Sequence, residues 1–586
     1  MLRKLLIWRL KNIPHKRFVL ILSVTVGVLC GISSAILKSV VSFVQFLLTW
    51  NFSVEYANYM YLAYPFIGVL LTVLFTRNIL KENIAQGISR ILFAISKKKS
   101  QLGQKKTWSY LVASTLTVGF GGSVGLEAPI VSTGAAIASN LGRFFHLNFK
   151  TKTLLIGCGA AGAIAAIFNA PIAGTIFAME ILMLDLTMAS LIPLLLASIS
   201  GALVGQLLHG ESMHFSFPIQ DTFEASDVPF YVILGLVTGF ISIYFTRSHA
   251  WTENLFDKVK NPYVKALAGG VLVGLLIFLF PPLFGDGYET IKALATGGSS
   301  TIVNSSPFYF MNNSVGSIVL FMFVTMIFKT LATSTTIATG GVGGFFAPAL
   351  FLGSMMGNIL AKLINMTGWK QVSEMNFTLV GMAGFIAGVQ YAPLTAIFLI
   401  AEITSGYELF LPLMITAASS FMIARHFEPH SIYTKGLHKR GALITHDKDK
   451  AVLTLMKLDK LIEKDFCSIE PDKNLGDLVK IVSQSKRNIY PVVNNRGVLE
   501  GIVSLDDIRE IMFEPDRYEE VSVEELMHLP EATLACSENM DDVMKKFRST
   551  GAWNLPVLKE GKYEGFMSKS KLFSAYRQML LQFSQE

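Results

Sequence analysis

Long apolar runs alternate with short polar stretches from about residue 18 to about residue 425 of this 586-residue chain. The first run, 18–49, is long enough for a tilted helix that crosses a membrane, and 61–78 is a second. Shorter apolar segments, interrupted by Gly, Pro or Asn, follow near 107–120, 125–142, 153–168 and 171–184. Broken segments of this kind favour helices that end inside the membrane and expose their termini to a water-filled cavity.

Two short patterns recur in the same order in both halves of this region. Residues 125–129 (GLEAP) resemble 344–348 (GFFAP), and 169–171 (NAP) resemble 391–393 (YAP). The prolines of the two patterns are 42 residues apart in the first half and 45 in the second. Duplicated halves with broken helices are typical of transporters, which bind their substrate near the midplane. The sequence therefore predicts an all-α polytopic membrane domain over 18–440, with repeats at about 18–208 and 229–440.

The distribution of charge indicates how this domain is oriented. The N-terminal segment 1–17 is rich in Lys and Arg, which places it in the cytoplasm. The segment 209–227 contains four acidic residues and no Lys or Arg, so we expect an outside loop. With both termini inside, each half then crosses the membrane an odd number of times, and the two repeats are inverted. The net charge of +8 is explained by these membrane flanks, so no nucleic-acid partner is expected.

The composition changes at about residue 441, where charged residues become frequent. Short β-rich runs, the first of them at 466–469, then alternate with amphipathic helices in two similar copies, at about 455–513 and 521–580. This tail, 441–586, is predicted to be a soluble pair of α/β domains.

Glu127 is the most informative single residue of the membrane domain. It lies at the start of an apolar helix, after the glycine-rich turn 121–125, and the repeat has a similar turn at 340–344. Backbone N–H groups at helix N-termini attract anions without trapping them as fixed cations would. A carboxylate beside them can occupy an anion site and leave it on protonation, which makes Glu127 a candidate gate. The alternative is a helix cap or a buried structural acid.

Three further residues have two interpretations each. Glu180 and Glu402 follow the repeated NAP and YAP prolines by nine residues, and their symmetry favours capping or pairing, although Glu180 could also assist protons. Tyr433 follows the last apolar segment. It is either an interfacial anchor or a hydroxyl donor to an anion.

Taken together, these motifs resemble the CLC family of chloride channels and proton-coupled chloride transporters, with paired CBS domains at the C-terminus. Residues 125–129 are similar to the family's G-x-E-G-P gating motif, with Ala128 in place of the second Gly, and 344–348 are similar to G-x-F-x-P. The resemblance implies the CLC fold, a homodimer with one pore per subunit, and chloride as the bound ligand. It implies anion contacts from the residues Gln86, Gly87, Gly125, Phe345, Phe346 and Tyr433.

Two departures from the family pattern affect the expected mechanism. The family's G-S-G-I-P motif appears as 85–89 (AQGIS), so that Gln86, whose amide can still donate a hydrogen bond, replaces the serine. Ile181 stands where proton-coupled members often carry an internal acid. This favours a passive channel, with a proton-coupled antiporter as the alternative.

The tail resembles tandem CBS domains, which often bind adenine nucleotides. The ribose-contacting pattern of that family appears at 501–507 with Ser504 and Asp507, whereas the second copy has Lys571 at the Asp position. One nucleotide site or a purely structural pair of domains is expected.

Other functional classes fit the sequence poorly. A cation transporter would need more membrane carboxylates, and a metalloprotease would need a zinc motif such as His-Glu-x-x-His, which is absent from the sequence. We therefore expect a multi-pass protein of the plasma (inner) membrane that is not an enzyme, requires no cofactor and binds no metal.

Overall fold

The computed structural model describes residues 9, 11–49, 59–82, 84, 87–98, 100–182, 188–209, 217, 223–304, 306–404, 406–439, 456 and 458–584. The chain separates into two compact units, Met1–Leu443 and Ile444–Glu586. The predicted anion ligand Gln86 and the loop acids Glu211 and Asp221 lie outside the described residues.

All regular secondary structure in the described part of the first unit is helical. Its helices are α1 His15–Thr49, α2 Met60–Leu74, α3 Gly87–Lys97, α4 Lys106–Gly119, α5 Glu127–Phe144, α6 Phe149–Phe168, α7 Pro171–Ile181, α8 Met188–His209, α9 Val228–Asp257, α10 Pro262–Leu279, α11 Tyr288–Ala295, α12 Thr301–Asn304, α13 Val315–Ala338, α14 Phe346–Met366, α15 Glu374–Gln390, α16 Pro393–Ile403, α17 Phe410–Phe427 and α18 Lys435–Lys439. Among the described residues, nine helices are long and apolar enough to cross a membrane, and α7 and α16 are shorter apolar helices. The expected polytopic all-α domain is confirmed.

The helices break at equivalent places in the two halves. Asn169 ends α6 and Tyr391 ends α15, and both have a left-handed backbone, with φ of 56° and 60°. Two residues later Pro171 and Pro393 begin α7 and α16. Proline suits this first position because the backbone N–H that it lacks would have no partner within the helix. The broken helices predicted from the NAP and YAP patterns are therefore present in both halves.

Glycine pairs bring the helices of each half into close contact. A Cβ at Gly134 of α5 would lie 2.3 Å from the carbonyl oxygen of Gly159 in α6, and the reverse distance is the same. In the second half, Gly353 of α14 and Gly381 of α15 meet in the same way, at 2.4 and 2.3 Å. Only hydrogen fits at these four positions, so the backbones of α5 and α6, and of α14 and α15, touch directly.

The two halves also cap each other's short helices. The carboxylate of Glu402, on α16, accepts the N–H groups of Ile172 (2.9 Å) and Ala173 (2.8 Å) at the start of α7. The carboxylate of Glu180, on α7, accepts those of Leu394 (3.2 Å) and Thr395 (2.8 Å) at the start of α16. Each carboxylate thus satisfies N-terminal donors that have no partner within their own helix.

The second unit contains two small sheets, each with its own helices and apolar core. Strands β1 Ile489–Val493 and β2 Leu499–Ser504 are antiparallel, whereas β3 Leu534–Ala535 runs parallel to β4 Asn554–Lys559, which pairs antiparallel with β5 Lys562–Ser568. The helices are α19 Leu475–Gln484, α20 Leu505–Ile508, α21 Val523–Leu526, α22 Met540–Thr550 and α23 Lys569–Ser584. The strand predicted at 466–469 is reduced to a single bridge between Ile469 and Val492. The predicted α/β repeat is otherwise present.

Candidate anion pathway

A backbone bridge joins the two glycine-rich turns of the first unit. The N–H of Gly125 donates to the carbonyl of Gly344 at 3.0 Å, and the N–H of Gly344 donates to the carbonyl of Gly125 at 2.8 Å. Helix α5 begins two residues after Gly125, and α14 begins two residues after Gly344. The bridge therefore holds the N-termini of two helices side by side, and their free N–H groups create a local positive potential.

Glu127 lies between these two helix ends. It is buried, with 1% of its surface exposed, and its Oε2 atom lies beside the N-terminal backbone of the two helices but has no hydrogen-bond partner among the described residues. A Cβ at Gly125 would come within 2.0 Å of that oxygen, so only glycine leaves room for this position of the carboxylate. The side chain occupies the place that the two helix N-termini offer to an anion.

Ala128, the departure from the family motif, fits its surroundings. A Cβ at Gly344 would lie 2.8 Å from the Ala128 Cβ. The two positions therefore face each other, and there is space for a methyl group at only one of them. The extra methyl of Ala128 is accommodated because its neighbour is glycine.

The other carboxylate oxygen of Glu127 accepts a hydrogen bond from the hydroxyl of Tyr288, the first residue of α11. The turn before α11 holds Asp286, which accepts the N–H of Tyr288 at 3.3 Å. Lys329 of α13 is fully buried nearby, and its ammonium group lies 3.3 Å from the carbonyl oxygen of Gly285. These three side chains were not predicted, although a lysine inside the apolar run of α13 is a signal that sequence analysis can use.

Three of the predicted anion ligands line one cavity of about 240 Å³, which Gly344 of the bridge also lines. Gly87 contributes its backbone at the start of α3, Phe345 lies just before α14, and Tyr433 follows α17. Tyr433 is 4% exposed, and its hydroxyl has no hydrogen-bond partner among the described residues. Its burial argues against an interfacial anchor and leaves a hydroxyl donor without a partner in this part of the structure.

The remaining predicted residues of the membrane unit occupy different surroundings. Phe346 is buried and its ring packs 5.2 Å from that of Phe168 and 6.4 Å from that of Phe177, so only its backbone can serve an anion. Both carboxylate oxygens of Glu180 are engaged at the start of α16, and the adjacent Ile181 is buried.

In the second unit, Ser504 and Asp507 form a capping box at the start of α20. The Asp507 carboxylate accepts the backbone N–H of Ser504 at 2.6 Å and its hydroxyl at 2.7 Å. His528 lies 3.4 Å from the same carboxylate. Asp507 therefore has local partners in this structure.

Comparison with known proteins identifies the family. The model "Voltage gated chloride channel" matches residues 68–425, and the model "CBS domain" matches residues 458–514. The chain is 30% identical to the "Voltage-gated ClC-type chloride channel ClcB" of Escherichia coli over 336 residues, covering 56% of this chain and 75% of the relative. It is also 30% identical to the "H(+)/Cl(-) exchange transporter ClcA" of Vibrio cholerae over 335 residues, covering 55% and 67%. For the "Chloride channel protein CLC-f" of Arabidopsis thaliana, 25% identical, the alignment covers 68% of this chain and 56% of the relative.

Solved structures share the fold. A "slow cyanobacterial Cl-/H+ antiporter" superposes with a TM-score of 0.61 at 22% identity, covering 72% of this chain and 97% of that structure. A "eukaryotic CLC transporter" covers 94% of this chain and 98% of that structure, with a TM-score of 0.58 at 17% identity. The CLC fold, the multi-pass membrane domain and the CBS domain predicted from the sequence are confirmed, and this chain belongs to the voltage-gated chloride channel (CLC) family of chloride transport proteins.

Proposed function

We propose that this protein conducts chloride passively and that the Glu127 carboxylate is the gate of its pore. The observation that carries this proposal is the position of Glu127 against the N-termini of α5 and α14, which the Gly125–Gly344 bridge holds together. An ionised carboxylate and a chloride ion compete for the same N–H donors. Protonation removes the charge that holds the side chain there, so the site is released to the anion.

The anion pathway continues from the gate into the 240 Å³ cavity. The backbone at Phe345 and Phe346 provides N–H donors at the start of α14, and the backbone at Gly87 provides another. The N–H of Gly125 is used in the bridge to Gly344, so Gly125 contributes by positioning the start of α5. The hydroxyl of Tyr433 is a further donor. Such neutral donors bind an anion weakly enough to let it leave, which conduction requires. Gln86 is assigned to the same pathway by family resemblance.

Ile181 favours a channel over an exchanger. It is buried and cannot carry a proton, and Glu180 beside it has both oxygens engaged in capping α16. The alternative, a proton-coupled chloride antiporter, is favoured by the relatives themselves. They include an "H(+)/Cl(-) exchange transporter", and one structural neighbour is a "Cl-/H+ antiporter". Glu180 remains the candidate proton carrier for that mechanism.

By family resemblance, the protein is a homodimer with one pore per subunit. It lies in the plasma (inner) membrane with both termini in the cytoplasm, transports ions without enzymatic chemistry, and requires no cofactor. The CBS pair binds at most one adenine nucleotide per chain, through Ser504 and Asp507, because Lys571 replaces the acidic residue in the second copy.

Ion flux from liposomes tests the mechanism. Purified protein is reconstituted, a chloride gradient is imposed, and chloride efflux and proton movement are recorded in parallel. Chloride efflux without uphill proton transport is the expected result. Uphill proton movement would establish the exchanger instead, and absence of chloride flux would contradict both mechanisms.

The variant Glu127→Gln tests the gate in the same assay. Glutamine imitates the protonated carboxylate, so chloride efflux from the variant should stay high and vary little between acidic and neutral pH. If efflux remains as pH-dependent as in the parent protein, Glu127 is not the gate.

A further inference from the structure

The 240 Å³ cavity lined by Gly87, Phe345 and Tyr433, called the inner cavity below, contains a buried histidine that none of the sequence motifs includes. His249, on α9, lines the cavity together with Phe345 and Tyr433 and is 7% exposed. Its Nδ1 atom has no hydrogen-bond partner in the described part of the chain. The ring lies edge-on to Phe345, with 4.7 Å between the ring centroids, which fixes it beside the predicted anion ligands. An unpaired buried ring nitrogen is costly unless an ion, a proton or water uses it.

A row of acidic side chains connects His249 with the protein surface. Glu253 and Asp257 follow at intervals of four residues on α9, so all three share one helix face, and all three line the cavity. Glu253 is half-buried, whereas Asp257 is exposed and pairs with Lys265 at 2.9 Å. The three titratable side chains therefore share one helix face that reaches solvent at Asp257.

The charges around His249 link its protonation to the presence of an anion. Burial disfavours a positive charge on the imidazole, and Lys435, which also lines the cavity and pairs with Glu428 at 2.8 Å, repels that charge as well. Among the described lining residues, those from α3, α5, α13 and the turn before α14 are uncharged, and Tyr433 is neutral. A chloride ion in the cavity would offset the repulsion from Lys435 and stabilise a protonated His249.

We propose that His249 binds a proton in the inner cavity and that this proton is taken up together with an anion held beside Tyr433. The inference rests on the proposed anion pathway and assigns a second protonation site to it, apart from the gate. Because linkage is reciprocal, chloride binds more tightly when the cavity is acidic, within the roughly 5- to 150-fold range typical of coupled sites. In a channel this makes anion occupancy of the cavity sensitive to the pH of the solution that it contacts, and in an exchanger it supplies a proton entry that avoids Ile181.

Calorimetry of chloride binding tests the proposal. The full-length Glu127→Gln protein is the parent, because the gate carboxylate would itself exchange a proton when an anion displaces it. Chloride is titrated at several values between about pH 5 and 7.5, spanning the ordinary histidine pKa. Each titration is repeated in two chloride-free buffers of different ionisation enthalpy, which gives the number of protons taken up per chloride. The parent should take up protons at the acidic end of this range.

Two substitutions at His249 then locate the proton. His249→Asn retains a polar group, whereas His249→Phe suits the aromatic neighbours. Size-exclusion chromatography shows which variants fold, and one folded variant is enough for the test. Both should bind chloride without proton uptake and should lose the pH dependence of affinity. The control His146→Asn, at an exposed position with a left-handed backbone that asparagine tolerates, should behave as the parent.

The outcomes separate the two proposals. Proton uptake that persists in the His249 variants, or is absent from the parent, overturns the inference and leaves the proposed pore intact. A parent that binds no chloride contradicts the proposed function and the inference with it.

Discussion

In the proposed pore, the side chain of Glu127 competes with the ion for the same hydrogen-bond donors. The carboxylate of Glu127 lies where two helix N-termini offer their amides, and it receives a further hydrogen bond from Tyr288. A purely structural acid would be surrounded by fixed partners on all sides. Here the cavity at Tyr433 is lined by Gly344 of the Gly125–Gly344 bridge, so the bridge is next to both Glu127 and the cavity.

The Tyr288 hydroxyl should stabilise the closed position of the gate. A hydrogen bond to a charged group contributes about 1.5–3 kcal/mol. Tyr288→Phe therefore favours the open state by roughly tenfold or more, since about 1.4 kcal/mol corresponds to a factor of ten. Chloride efflux from liposomes at neutral pH should be faster than in the parent protein.

A double substitution shows whether the effect passes through the gate. In a Glu127→Gln background, Tyr288→Phe should add little to efflux, because no charged carboxylate remains to be held. Tyr244→Phe, at an exposed position on α9, is the matched control. Equal acceleration in both backgrounds would show that Tyr288 acts elsewhere.

The residues that sequence analysis identified are those whose role follows from local context. Glu127 stands beside its own helix start, and Tyr433 was assigned by motif. Tyr288 could not be predicted, because its partner is 161 positions away in the chain. His249 could not be predicted either, because it lies in an ordinary apolar run of α9. Only the fold shows that it packs against Phe345 and lines the cavity.

At the level of secondary structure, the short helices α7 and α16 depend on each other's carboxylates. Replacing Glu402 by Gln, or Glu180 by Gln, removes the charge that complements a helix N-terminus. Each change should cost about 0.5–2 kcal/mol, as loss of an N-cap does. We expect similar decreases in the thermal unfolding midpoint of both purified variants in detergent, whereas Glu408→Gln, at an exposed position, should leave it unchanged.

A much larger effect in one variant than in the other would contradict the symmetric capping described here. In that case the more sensitive carboxylate would have a second role, and Glu180 would become the stronger candidate for proton transfer.

Glycine packing between α14 and α15 gives a second prediction at this scale. A Cβ at Gly357 would lie 1.9 Å from the carbonyl oxygen of Phe377, so Gly357→Ala must separate the two helices. Overpacking of this kind costs about 1–3 kcal/mol or more. Gly316→Ala is the matched control, because nothing lies within 4 Å of its added Cβ and alanine favours a helix. Thermal unfolding should decrease for the first variant and stay equal or increase for the second.

Helix positions were predictable because apolar runs and prolines mark them locally. The predicted segment 107–120 corresponds to α4, and 153–168 lies within α6. The short strand expected at 466–469 is not formed, because strands, unlike helices, are not determined by local sequence alone. Strand pairing depends on a partner distant in sequence, and only Ile469 finds one.

At the scale of the whole molecule, the chain combines two units that fold around separate cores. Composition alone predicted this division, since the fraction of charged residues rises after the last apolar segment. The topology of the membrane unit was predictable only through its internal duplication and family resemblance, because the contacts between the halves join residues more than 200 positions apart.

Nucleotide binding to the intact protein tests the role of the second unit. Isothermal titration with an adenine nucleotide should give no more than one site per chain. Asp507→Asn should weaken binding, while Lys571→Ala should leave it unchanged. Binding at two sites, or unaltered binding by the Asp507 variant, would contradict the assignment.

The reciprocal caps carry information about the ancestry of the chain. In a contact between identical subunits related by a two-fold axis, residue i meets residue j and j meets i. Glu180 at the start of α16 and Glu402 at the start of α7 reproduce that arrangement within one polypeptide. The simplest origin is a gene fusion of a homodimer that already buried this interface. After fusion each half could change independently, and now only the first half has an acidic residue, Glu127, at the position where the second has Phe346.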